Sequence, residues 1–135
     1  MELLRQIEAI LALVAMDPSF ASVLFDFADR WKGDLGEFME SSYMFALPLE
    51  EFAQLSGRSL STFKRDFKEF SPLSPEKWLV QRRLEAAYKM LEGGATVSEA
   101  CMRSGFRNLS HFSTTFKKHY GVSPIKVSRM AKAGS

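Results

Sequence analysis

The sequence predicts an all-α protein in which a pair of short helices, joined by a glycine turn, occurs twice with a long helix between the copies. Three observations predict it. Apolar residues recur at helical spacing along the chain, and no alternating run is bounded by hairpin turn residues. The stretch 49–68 recurs at 97–117. The charge is also split: residues 57–135 hold fifteen basic against six acidic side chains, and residues 1–56 hold three against ten.

Taken in order, Leu3/Leu4, Ile7, Ile10/Leu11 and Val14 share one helix face. Asp17-Pro18 breaks that helix and can cap a second, which carries Phe20, Val23, Leu24, Phe27 and Trp31. Gly33 and Gly36 bracket its stop, and a short helix with Leu35, Phe38 and Met39 follows. Pro48 to Leu55 reads as a short amphipathic helix ended by Gly57. Ser59 caps the next, whose Phe63, Phe67 and Phe70 lie at i, i+4 and i+7. Pro72 and Pro75 stop it and open the long helix, about 75 to 92, which Gly93-Gly94 terminates. Thr96-Val-Ser-Glu99 has the pattern of a capping box for a short helix running to Gly105. A last helix spans roughly 109 to 120, with Phe112 and Phe116 on one face, before Gly121 and Pro124.

The repeat is specific in its details. Leu49-Glu-Glu-Phe-Ala53-x3-Gly57 matches Val97-Ser-Glu-Ala-Cys101-x3-Gly105 at an offset of 48, and Leu60-Ser61-x-Phe63-x3-Phe67-Lys68 matches Leu109-Ser110-x-Phe112-x3-Phe116-Lys117 at 49. The second turn is therefore one residue longer. Each copy is a helix, a glycine turn, and a helix whose outer face is polar and basic, the helix-turn-helix pattern at about 49–70 and 97–120. The small Ala53 and Cys101 allow close crossing of the two helices, and the phenylalanines pin the second helix to the core. A basic half beside an acidic one points to a polyanion facing the second half, against the plain alternative of a surface charge uneven by chance.

Other chemistries find little support. The single Cys101 excludes an internal disulfide and a Cys-based zinc site, and reads as a small packing residue. His111 and His119 are eight residues apart with no Cys or acid nearby in sequence, so no metal site or cofactor is expected. No phosphate loop, dinucleotide fingerprint or serine elbow occurs, so no catalytic residue is assigned. The apolar run 10–16 is far short of the roughly 20 residues a bilayer span needs and lacks a signal-peptide context, so a cytoplasmic protein without membrane contact is expected.

The stretch from about 47 to 129 resembles the DNA-binding domain of AraC/XylS-type transcription regulators. The residues that carry the resemblance are Ala53-x3-Gly57, Ser59-x3-Phe63-x-Arg65-x-Phe67-Lys68, Arg83-Leu84-x2-Ala87 with Leu91, and Gly105-Phe106-x5-Phe112-x3-Phe116-Lys117-Lys118-x2-Gly121-x-Ser123-Pro124. The resemblance implies two helix-turn-helix units on a rigid linker helix, seven helices in all. Their recognition helices would enter successive major-groove segments of double-stranded DNA, about 34 Å apart. It also implies RNA polymerase as a protein partner in a bacterial-type regulator. Three positions depart from the family pattern. Thr114 stands where Arg is frequent, Ala100-Cys101 replaces an Ile-Ala pair, and Val127-Ser128 replaces a terminal aromatic-Arg pair.

On this basis residues 46–130 are expected to form the DNA-binding domain. Residues 1–45 are expected to form an N-terminal helical segment resembling the tail that follows a sensing barrel in longer members, with the chain then expected to be a piece of a larger regulator. The stripe Leu3/Ile7/Ile10/Val14 fits a homodimer seam through residues 1–30 and equally fits packing on the chain's own second helix. Ser61, Lys64 and Arg65 are expected to face base edges in the first unit, and Asn108, Ser110, His111 and Thr114 in the second. Arg58, Lys68, Lys117 and Lys118 are expected on phosphates, against the plain alternative of solvated surface charge. Two rival functions remain. One is a DNA-repair methyl acceptor, for which Cys101 lacks an activating base. The other is a helical protein-interaction module that binds an acidic partner and has only nonspecific DNA affinity.

Overall fold

The computed structural model describes residues 34–134, which form seven helices: α1 (Leu35–Ser42), α2 (Leu49–Leu55), α3 (Leu60–Phe70), α4 (Pro75–Glu92), α5 (Val97–Ser104), α6 (Leu109–Tyr120) and α7 (Pro124–Ala133). No strand occurs among the described residues. The two helices expected before residue 33 and the dimer seam in residues 1–30 lie outside them. The described residues divide into two units. One comprises 34–42 and 47–78, the other 43–46 and 79–134. The long helix α4 gives its first turn to the first unit and the rest to the second.

The sequence sets most helix starts through side-chain caps. The Ser59 hydroxyl accepts from the Thr62 N–H at the start of α3. Thr96 and Glu99 form the reciprocal capping box of α5. Asn108 caps α6 through the His111 N–H, and Ser123 caps α7 ahead of Pro124. The caps satisfy N–H groups that a helix start otherwise leaves unpaired. At α1 the cap is Asp34, whose carboxylate accepts from the Glu37 N–H, so Gly36 lies inside the helix rather than bracketing a stop. The helix α7 goes beyond the elements expected from periodicity. Its signal was Ser123-Pro124, an N-cap followed by a proline at the first helical position.

In the first unit Phe38, Phe52, Phe63 and Phe67 are fully buried, with Ala53 and Leu55 beside them in sequence on α2. Phe63, Phe67, Phe70 and Trp78 form a run of tilted and edge-on aromatic contacts with centroids 5.2–5.8 Å apart. The helix α1, which the sequence reading assigns to the N-terminal segment, packs against α3. The second unit has its own core: Leu84, Ala87 and Leu91 of α4, Ala100 and Cys101 of α5, Phe106, Phe112 and Phe116, with Val127 of α7. Burial among these groups raises the Cys101 thiol pKa, which fits a packing role rather than a nucleophile.

Phe116→Ala should destabilise the second unit by about 3–5 kcal/mol, because the ring is fully enclosed. Thr96→Ala should cost only about 1 kcal/mol through the lost cap. Urea unfolding of the two variants checks both, and equal losses would contradict the burial assigned to Phe116.

Candidate nucleic-acid interface

Each unit contains one helix pair whose second helix turns a polar face outward. On α3, Phe63 and Phe67 are buried, while Ser61, Lys64, Arg65 and Lys68 are exposed. On α6, Phe112 and Phe116 are buried, while Ser110, His111, Thr114, Lys117 and Lys118 are exposed. Helical spacing puts the two sets on opposite sides of each helix. The structure thus brings together most of the side chains expected at bases and phosphates, on α3 in one unit and on α6 in the other.

The turns that aim these helices are built alike. Ala53 and Cys101 are buried on the first helix of each pair. Ser56 and Ser104, each one residue before the glycine, are fully buried and donate their hydroxyls to the carbonyls of Ala53 and Cys101. This pair extends the repeat and was missed because serine carries no periodic signal. Gly57 and Gly105 have φ of 76° and 109°, in the left-handed region that other residues rarely adopt.

The turns differ in what fills them. In the longer second turn Phe106 is 6% exposed and packs at a tilt against Phe112, with centroids 5.0 Å apart. In the first, Arg58 is drawn inward. Its Nε donates to Asp66 Oδ2 at 2.9 Å and its Nη1 to the Ser56 carbonyl at 3.0 Å, leaving the side chain 9% exposed. Arg58, expected on a phosphate, thus has its guanidinium engaged within the protein, where it fastens the turn to α3. Pairing across eight residues has no sequence signature, so the charge alone suggested DNA. Arg65 remains outward, 76% exposed, with only a loose 3.7 Å approach to Asp66.

Asn108 is exposed but already committed. Its side-chain oxygen accepts from the His111 N–H at 2.8 Å. Using both ends of the amide on an adenine would compete with that cap. Aligned through the phenylalanines, Arg65 corresponds to Thr114, Lys64 to Ser113 and Lys68 to Lys117. The outer face of α3 is therefore cationic midway along the helix and that of α6 is uncharged at the matching positions, with Lys117, Lys118 and His119 gathered in the last turn of α6. Among the described residues no cluster of three metal-ligating side chains exists, and no helix is long and apolar enough to cross a membrane.

Residues 52–130 match the family model described as a helix-turn-helix domain. The chain belongs to the AraC family. Its relatives include the virulence regulon transcriptional activator VirF of Yersinia enterocolitica, 30% identical over 96% of this chain and 50% of that protein. The HTH-type transcriptional regulator ExsA of Pseudomonas aeruginosa is also 30% identical, over 94% of this chain and 47% of its own length. This AraC-family chain thus spans about half the length of these curated relatives. Among solved structures, the DNA-binding domain of AdpA in complex with a target DNA is 26% identical with a TM-score of 0.66, covering 73% of this chain and 93% of that one. A probable AraC family regulator from Rhodopseudomonas palustris is 27% identical with a TM-score of 0.59, covering 76% and 97%. In the family pattern, the missing terminal aromatic falls at Val127-Ser128, both buried on α7 here, while Arg129 is exposed.

Arg58→Met should lower the stability of the first unit by about 1.5–3 kcal/mol, the range for hydrogen bonds to charged groups. It should leave the rank order of DNA sequences bound unchanged. Thermal melts and competition binding check this, and an altered preference would return Arg58 to the interface.

Proposed function

We propose that this chain is the DNA-binding part of a transcription regulator, reading a specific duplex sequence with α3 and α6 in major-groove segments. The observation that carries the proposal is the pairing, twice in one chain, of a phenylalanine-anchored face with an exposed polar and basic one. The helix-turn-helix arrangement puts that outer face against base edges. A similar fold solved on a target DNA adds support.

The two faces suit different chemistry. Arg65 presents the paired donors that match O6 and N7 of guanine, with Lys64 in reach of guanine or phosphate and Ser61 as a hydroxyl partner. Thr114, Ser110 and His111 offer hydroxyls, a methyl and an imidazole, which suit thymine methyls and mixed hydrogen bonding, with the Asn108 amide donors at the edge. Lys68, Lys117 and Lys118 hold phosphates and set register without reading sequence. Contact with RNA polymerase, self-association through residues 1–30 and a cytoplasmic, non-enzymatic role belong to the same proposal. Sedimentation at several concentrations tests the self-association.

Selection from a random DNA pool with competitor present tests the central claim. Two conserved blocks are expected. An absence of any motif, with binding that collapses in salt, would favour the module that binds an acidic protein.

Arg65→Ala should cost about 1–3 kcal/mol on the selected site and relax one base position. Equal losses on selected and random DNA would remove base reading from Arg65. Lys118→Ala should weaken all sequences alike and reduce the salt slope by about one. Titrations at several salt concentrations decide this, and an unchanged slope takes Lys118 off the phosphate.

A further inference from the structure

The chain leaves the first unit after Ser42, contributes residues 43–46 to the second, and re-enters the first at Leu47. Those four residues are held in the second unit mainly by arginines. Arg83 of α4 donates from Nε to the Tyr43 carbonyl at 2.8 Å and from Nη2 to the Phe45 carbonyl at 2.7 Å. Arg107 donates to the carbonyl of Ala46. Arg82 lies over the Tyr43 ring, 4.5 Å from its centroid.

The clamp reaches the turn before α6. A Cβ on Gly105 would sit 2.8 Å from Arg83 Nε and 3.0 Å from the Met44 carbonyl oxygen, so glycine alone lets strap and guanidinium close over this point. Arg107 is the neighbour of Asn108, which caps α6. Burial, with the charge of Arg107 adding to it, lowers Arg83 to about 10, so it stays protonated at neutral pH and both its bonds remain charge-assisted.

We propose that Arg83 is a positioning residue for DNA reading by α6, clamping residues 43–46 over the turn that sets the start of that helix. The DNA part of this inference rests on the function proposed above. Arg83 does not touch DNA in this scheme. Releasing the clamp lets residues 105–108 sample other conformations, and the affinity contributed by α6 falls with the fraction of competent turn.

The test uses the full chain carrying Arg83→Met, with amide hydrogen exchange and hydroxyl-radical footprinting on the selected DNA. Faster exchange is expected at 43–46 and 105–111, while the core amides of Leu84, Leu91, Phe112 and Phe116 keep their protection. Affinity should fall by about tenfold if one molecule in ten retains the competent turn. The lost footprint should be confined to the block that a Thr114→Ala variant also weakens. Arg83→Lys should not restore either signal, since one ammonium cannot reproduce the planar two-pronged bond. Collapse of core protection would make Arg83 a general stability element and overturn the proposal. Equal weakening of both blocks with unchanged exchange, or no change at all, would overturn it too. A wild-type chain that selects no sequence defeats the DNA reading itself, and the exchange pattern then decides the clamp alone.

Discussion

Two pairs of buried phenylalanines, Phe63/Phe67 and Phe112/Phe116, govern the rest of this structure. Each pair sits one helical turn apart on the second helix of its unit, and each ring is fully enclosed. Burying them fixes the rotation of the helix about its own axis, because any other rotation exposes two large aromatic surfaces to water. Once rotation is fixed, the side chains left outside follow from spacing. The outer faces of α3 and α6 are thus consequences of the core, and the caps and glycine turns serve to place helices whose orientation the phenylalanines have already chosen.

The same logic explains why so much of the fold was legible beforehand. The caps at Ser59 and Thr96 act over three residues, so they show in local sequence. The bounds of α4 follow from Pro75 and the Gly93-Gly94 pair for the same reason. The outward placement of Ser61, Lys64, Arg65, Thr114 and Lys118 was readable because a helix converts sequence spacing into direction. What escaped were contacts between residues distant in the chain. The pairing of Arg58 with Asp66 escaped because its partner lies on the next helix, and the carbonyls that hold Arg83 belong to a segment 38 and 40 residues away. Backbone acceptors carry no side-chain identity at all, so no pattern could have announced that strap. Periodicity did not show the last helix for a different reason: α7 buries only Pro124, Val127 and Ser128, too few to give an apolar stripe.

The two turns show how one design tolerates different chemistry. Phe106 closes the second turn by apolar contact, and Arg58 closes the first through its pairing with Asp66. Both solve the same problem of filling the angle between two crossed helices. The buried Ser56 and Ser104 hydroxyls, each returned to a carbonyl of their own helix, show that the polar atoms in this crowded corner are satisfied locally. Among the described residues no buried side-chain nitrogen or oxygen lacks a partner.

The extra residue in the second turn shows where such a repeat can change. Inserted within α6 between its two phenylalanines, one residue would rotate everything after it by about 100°, carrying Phe116 outward and Thr115 into its place in the core. Inserted in the turn, it lengthens a short loop at little entropic cost and leaves the helical register intact. Divergence between the two copies is therefore channelled into the connector and the outward positions, while the anchoring rings stay in step. A chain built this way can acquire a new DNA preference through a few surface exchanges without having to solve its folding problem again.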